Sequence, residues 1–200
     1  MTELRVLITG FTKFSDFTSN PSQEILGEIA KNGINGLEIE TLLLTVDEAG
    51  SKETPRRIQY GAQYSSIVHL GFSSKTDLIR IEKQGKNLLD MKIRDNSGRK
   101  INNRKIIDDS PGNLYSTANF SRISEALSDL SDKYVWSEDA GGFICNETYF
   151  RTLDAVGKIC QNKCSVIFIH LPEFGKIDFE TQLDFVSTVS KATNSDQTLH

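Results

Sequence analysis

Three short runs of the chain are apolar almost throughout: residues 4–9 (Leu-Arg-Val-Leu-Ile-Thr), 66–71 (Ser-Ile-Val-His-Leu-Gly) and 165–171 (Ser-Val-Ile-Phe-Ile-His-Leu). Successive side chains of an extended strand point to opposite faces, so a strand apolar at nearly every position has two faces to bury. Such strands belong in a mostly parallel sheet with helices on both sides. The intervening segments have helical period. Asn20-Pro21-Ser22-Gln23 offers a cap, a proline for the first helical position and a glutamine placed to close a capping box. Ile25, Leu26, Ile29 and Ala30 then form a stripe that Asn32-Gly33 ends. Ile123, Ala126, Leu127 and Leu130 mark a second helix, Tyr149, Leu153, Val156 and Cys160 a third, and Phe179, Leu183 and Val186 a fourth.

Residues 37–45, 78–82 and 134–136 read as further strands. Residues 47–64 are polar and only weakly helical, with Pro55 inside. Residues 83–116 form a long polar insertion of the kind that builds a site in a compact domain. The pattern predicts a three-layer α/β/α sandwich with a mostly parallel central sheet. A single domain over residues 1–190, followed by a polar, disordered tail from 191 to 200, suits a chain of 200 residues.

Composition excludes several functions. A net charge of −4 gives no nucleic-acid footprint, and Arg99-Lys100 with Arg104-Lys105 reads as solvated loop. No apolar run approaches the roughly 20 residues of a membrane span. The first residues lead straight into a strand without a signal-peptide pattern. Three cysteines, an odd and low number, suit reduced thiols in a cytoplasm. Cys160 and Cys164 lack further ligands nearby and read as helix-end residues, one of them packed. Walker, GxGxxG, HExxH and paired CxxC patterns are all missing from the sequence, so neither a cofactor nor a metal is expected.

The chemistry concentrates in residues 137–150, Ser-Glu-Asp-Ala-Gly-Gly-Phe-Ile-Cys-Asn-Glu-Thr-Tyr-Phe. Two glycines allow a tight turn before the third helix, which sets Cys145 in or near its first turn. Unpaired N–H groups and the helix dipole favour a thiolate there, and the same N–H groups can hold an oxyanion. His170, at the end of an apolar strand, is the best partner base. His69, inside a buried strand, and the terminal His200 are weaker. Either Glu82 or Asp139 can orient the imidazole. Each residue also has a plainer reading: Cys145 as a small buried hydrophobe, His170 as a satisfied structural histidine, Glu82 as a solvated strand end, Asp139 as part of a turn. Gly10, Gly71, Gly141 and His170 all stand at predicted strand ends and can converge on one sheet edge.

Four motifs in order resemble the pyroglutamyl peptidase I family of cysteine peptidases: Thr9-Gly10-Phe11 with Phe14 and Asn20-Pro21-Ser22; Glu82 to Asn87 with Asp90, Ile93, Asp95-Asn96 and Gly98; Asp139-Ala140-Gly141 with Phe143-Ile144-Cys145-Asn146 and Tyr149; and Ile169-His170-Leu171-Pro172. The resemblance spans about residues 5–172. It implies a triad of Cys145 as nucleophile, His170 as general base and acid, and Glu82 orienting the histidine. The implied substrates are peptides with an N-terminal pyroglutamyl residue, an uncharged lactam suited to apolar walls. It places Phe11, Phe14, Phe143 and Ile144 around the lactam and Thr45 at the rim, with Phe72 and Lys92 as further candidate substrate contacts. By themselves the phenylalanines read as ordinary core. It also implies a homo-oligomer, often a tetramer.

The chain departs from the family pattern too. Lys92 replaces an arginine near the oxyanion site and lacks its planar fork of donors. Arg94 replaces a common proline, Lys83 an arginine, Ser15-Asp16 a glycine pair, and Phe72-Ser73-Ser74-Lys75 a glycine-rich turn. Residues 46–64 do not resemble the family's amphipathic helix. These changes leave open a cysteine hydrolase of shifted acyl specificity or a catalytically weak lactam-binding module.

Overall fold

The three apolar runs lie side by side in the middle of a six-stranded sheet. A computed structural model describes residues 5–14, 19–161 and 163–194. The strands are β1 (Arg5–Phe11), β2 (Ile39–Leu44), β3 (Tyr64–Phe72), β4 (Ile79–Glu82), β5 (Gln84–Lys86), β6 (Asn113–Tyr115), β7 (Tyr134–Ser137) and β8 (Ser165–Leu171). The helices are α1 (Pro21–Asn32), α2 (Glu48–Gln59), α3 (Phe120–Ala126), α4 (Ile144–Ile159) and α5 (Phe179–Asn194). The sheet order is β2-β1-β3-β8-β4-β7. Strands β2, β1, β3 and β8 are mutually parallel, whereas β4 runs antiparallel to β8 and parallel to β7.

Alternation along the strands sorts the core into two layers. Val6, Ile8, Val68, Leu70, Ile167 and Ile169 pack with Ile25, Ile29, Ile123, Phe185 and Val189 of α1, α3 and α5. Leu7, Ile67, Val166 and Phe168 pack on the other face with Ile58, Tyr149, Phe150 and Val156 of α2 and α4. The expected sandwich of three layers is therefore observed.

Local details differ from expectation in four places. Gln23 does not close a capping box: its Oε1 accepts the Lys13 N–H at 3.1 Å. The cap is Asn20, whose Oδ1 accepts the Ser22 N–H while its Nδ2 donates to the carbonyls of Phe11 and Thr12. This holds the loop after β1 against α1. Residues 48–59 form a full helix despite Pro55, because Asp47 caps it and Ser51, Thr54, Pro55 and Ile58 are buried. Helix α5 continues to Asn194, so residues 191–194 are helix rather than tail; residues 195–200 and Ser15-Asp16 lie outside the described residues. Finally, β7 runs opposite to β8, so Gly141 does not reach the site by prolonging a strand. Residues 138–143 turn the chain back to the start of α4, and Gly141 takes a φ of 84° that suits glycine.

The long insertion is ordered by Asn87. Its side-chain oxygen accepts the N–H groups of Ile106 and Ile107 at 2.8 and 2.9 Å, and its amide donates to the carbonyls of Ile107 and Ser110 at 2.7 and 3.1 Å.

Candidate active site

Cys145 is the second residue of α4. Phe143 is the N-cap and supplies no side-chain acceptor. The first-turn N–H groups of a helix have no intrahelical partner and carry the positive end of its dipole. They therefore remain available to an anion beside the half-buried thiol. Gly71 on β3 lets the thiol approach the sheet. A Cβ there would stand 3.0 Å from the Cys145 sulfur and 2.7 Å from the Phe168 ring.

Gly71 is also the residue that pairs with His170 in the β3–β8 register, so the thiol and the imidazole flank the same glycine. His170 Nδ1 is 2.9 Å from Glu82 Oε1 on the adjacent strand β4, and the imidazole ring rests on Phe168 with centroids 4.8 Å apart. Burial by itself would lower the imidazole pKa. The Cys145 and Glu82 side chains outweigh burial and raise it to about 9. Glu82 is fully buried, which favours its neutral form, yet the hydrogen bond to His170 and the charges of His170 and Arg80 hold it below the usual carboxylate range.

Two residues of α4 lock that helix to the acid's strand and to the segment that follows it. The Tyr149 hydroxyl donates to the Glu82 carbonyl at 2.9 Å. The Asn146 amide donates to the carbonyls of Lys86 and Leu88 at 2.9 Å and accepts the Lys86 N–H at 2.8 Å. A buried ion network backs them: Glu147 meets Arg99 at 2.5 Å and Arg151 at 2.8 Å, while Arg99 also reaches Asp95 at 2.9 Å.

Of the two candidate orienting acids, the structure brings Glu82 to the imidazole. Asp139 faces solvent, accepts the Gly141 N–H at 3.0 Å and pairs with Lys86 at 3.1 Å. His69 is a core histidine, bonded to Thr9 at 2.7 Å and Thr152 at 3.1 Å, and burial pushes its pKa down to about 3. His200 lies outside the described residues. No cluster of three or more metal-ligating side chains occurs among the described residues. Cys164 is buried, and burial raises the pKa of both Cys160 and Cys164.

A cavity of about 320 Å³ opens beside the Cys145 thiol. Phe11, Phe14, Phe72, Phe143 and Ile144 line it. Phe14 and Phe143 pack with ring centroids 5.1 Å apart. Thr45 does not border it. Its hydroxyl donates to Asp47 at 2.7 Å, and Val46, the next residue of the alternation, faces the cavity instead. Lys92 does not border it either. Its side chain is 82% exposed and pairs with Asp90 at 2.6 Å, leaving Ile93 to face inward. Val46 and Ile93 were therefore missed; the apolar residue next to each expected polar one was the available signal.

The pyroglutamyl peptidase family model matches residues 4–186. A pyrrolidone-carboxylate peptidase of Oceanobacillus iheyensis is 30% identical over 175 residues, 86% of each chain. One of Pyrococcus furiosus is 27% identical over 84% of this chain and 81% of its own. Among solved structures, the pyrrolidone carboxyl peptidase of Fervidobacterium islandicum superposes with a TM-score of 0.83 at 28% identity, covering 93% of this chain and 96% of that one. That of Thermococcus litoralis superposes at 0.85 with 24% identity, covering 95% and 93%, a likeness of fold.

Proposed function

This chain belongs to the pyroglutamyl peptidase family, and from that premise we propose that it is a cysteine peptidase removing the N-terminal pyroglutamyl residue of peptides through Cys145, His170 and Glu82. The observation that carries this reading is the meeting of thiol, imidazole and buried carboxylate at the mouth of a phenylalanine-lined cavity. The lactam has no charge to neutralise, so aromatic walls suit it and would serve a free N-terminal ammonium poorly.

The Cys145 thiolate adds to the pyroglutamyl carbonyl carbon, and the electron pair shifted to oxygen is held by first-turn N–H groups of α4. The tetrahedral adduct collapses with cleavage of the C–N bond. His170 gives the leaving amine its proton, and a thioester to Cys145 remains. Water then attacks the thioester, His170 takes a proton from it, and the thiol and free pyroglutamate are released. Glu82 at Nδ1 fixes the tautomer and favours the imidazolium that forms when His170 takes the thiol proton, which it then gives to the amine, and again when it takes the proton of the water.

Among the described residues no helix is long and apolar enough to cross a membrane. A cytoplasmic setting, a homo-oligomeric assembly and a single domain that includes all of α5 are further parts of the proposal, supported by the three cysteines and the family resemblance. The test is hydrolysis of a chromogenic pyroglutamyl amide and of unblocked aminoacyl amides. Rapid cleavage of the first alone, lost in Cys145→Ser, is expected. Equal rates for wild type and Cys145→Ser reject the nucleophile, and preference for another blocked amide rejects the acyl group.

A further inference from the structure

Arg80 occupies the centre of β4, where alternation sends Ile79 and Ile81 to the α1–α3–α5 layer and puts Arg80 and Glu82 on the opposite face. It stands directly across from His170 in the antiparallel β4–β8 pair. Its Nε lies 3.4 Å from Glu82 Oε1, the same oxygen that meets His170 Nδ1. Its Nη2 donates to the Ser137 hydroxyl at 2.5 Å and to the Asp139 carbonyl at 2.7 Å. The guanidinium therefore joins three things: the acid, the end of β7, and the turn that leads to Cys145. The second carboxylate oxygen of Glu82, Oε2, is buried without a hydrogen-bond partner, so Oε1 carries the contacts that fix the group.

We propose that Arg80 is a positioning residue of the peptidase reaction, holding Glu82 aligned on His170 and anchoring the turn before Cys145. This rests on the peptidase reading given above. A cation beside a buried carboxylate favours its charged form, and only the charged form accepts the Nδ1 proton without a competing donor of its own. The same cation, opposite the imidazole, opposes a second positive charge on His170. Arg80 thus works in two directions: it secures the acid and limits how strongly the imidazole retains its proton.

The groups facing this cluster are His170 from β8, Ser137 from β7, Asp139 from the turn, and Cys145 and Tyr149 from α4. Lys86 enters only through its pair with Asp139, and Lys83 turns its ammonium over the Trp136 ring. Among the described residues, Arg80 is therefore the cation that contacts Glu82 besides His170 itself. Arg80 does not line the phenylalanine cavity, so its loss should act on turnover rather than on lactam binding.

The experiment compares wild type, Arg80→Gln and Arg80→Lys in the pH profile of kcat/KM on a chromogenic pyroglutamyl amide, with an NMR titration of the His170 ring as a readout that needs no substrate. In Arg80→Gln, kcat should fall about tenfold from misalignment, with KM little changed. The alkaline limb and the His170 titration should move up by about half a unit or more, since a like charge has been removed. Arg80→Lys should restore the position of the limb and only part of kcat, because the cation returns without the fork that holds Ser137 and Asp139. An Arg80→Gln protein with the wild-type profile and titration overturns the proposal. If Arg80→Gln does not fold, Arg80→Lys decides: a several-fold lower kcat with an unmoved limb is expected, and wild-type kcat overturns the role of the fork. A wild-type protein inert toward the pyroglutamyl amide overturns the peptidase reading itself, and the NMR titration still tests the Arg80–His170 relation.

Discussion

The Tyr149 hydroxyl donates to the backbone carbonyl of Glu82 across 2.9 Å, so the helix that begins with the thiol is tied to the strand that ends with the acid. Tyr149 is fully buried, and burial raises its phenol pKa far above the ordinary value. Tyr149→Phe leaves the Glu82 carbonyl without this donor. The expected cost is about 1–2 kcal/mol of unfolding free energy, read from urea denaturation. A loss below about 0.3 kcal/mol would show that the contact is not made in solution.

The ion network under α4 predicts a larger loss. Glu147 is fully buried and accepts from both Arg99 and Arg151, each mostly buried. Glu147→Ala removes the nearest anion of both guanidinium groups, leaving Arg99 with Asp95 and Arg151 with the longer contact to Glu48, and should destabilise by about 3 kcal/mol. Asp132→Ala, which breaks an exposed pair with Lys133, should cost under about 0.5 kcal/mol. Parallel denaturation curves distinguish the two.

Stability should decline on both sides of neutrality, for opposite reasons. His170 binds its proton more tightly folded than unfolded, about 9 against an ordinary 6.5. Its contribution is complete below pH 6.5 and is lost as pH rises toward 9. His69 is held neutral, with its pKa pushed down to about 3, while the unfolded chain would take up the proton near 6.5. Its contribution is complete above pH 6.5 and is lost as pH falls toward 3. The urea midpoint measured from pH 5 to 9 should therefore peak near 6.5. His170→Gln should flatten the alkaline side and His69→Gln the acid side; unchanged slopes in either variant contradict the corresponding assignment.

Lys92 gives a prediction of small effect. Its exposed ammonium is occupied with Asp90. Lys92→Ala should change kcat/KM by less than about threefold, whereas loss of a true oxyanion donor costs about a hundredfold or more. A fall of the larger size would mean that Lys92 swings to the reacting carbonyl when substrate is bound.

The fold was legible because strands buried on two faces leave a strong compositional mark: residues 6–8 of β1, 67–68 of β3 and 166–169 of β8 are unbroken apolar runs. Helix α2 was obscure because its own composition is polar and interrupted by Pro55, and its buried side chains pack only once α4 is beside it. Cys145 and His170 stood out by residue type and by their place at element ends. Residue type and position did not separate Glu82 from Asp139, since a glutamate ending a strand also reads as solvated; the antiparallel β4–β8 register buries it against His170. Thr45 and Lys92 turn on one-residue questions of facing that motif resemblance cannot decide: Val46 rather than Thr45 lines the phenylalanine cavity, and Lys92 pairs with Asp90. Arg80 gave no signal at all, because its role depends on a cross-strand neighbour 90 residues downstream in sequence.

The central claim is that the Cys145 sulfur carries the pyroglutamyl group during turnover. Acid quenching of the protein during hydrolysis of an activated pyroglutamyl ester, followed by peptide mapping, reads this directly. The account predicts a pyroglutamyl thioester on the peptide containing Cys145 and none on Cys160 or Cys164. Steady turnover with an unmodified Cys145 peptide, or with the acyl group on another side chain, would contradict it.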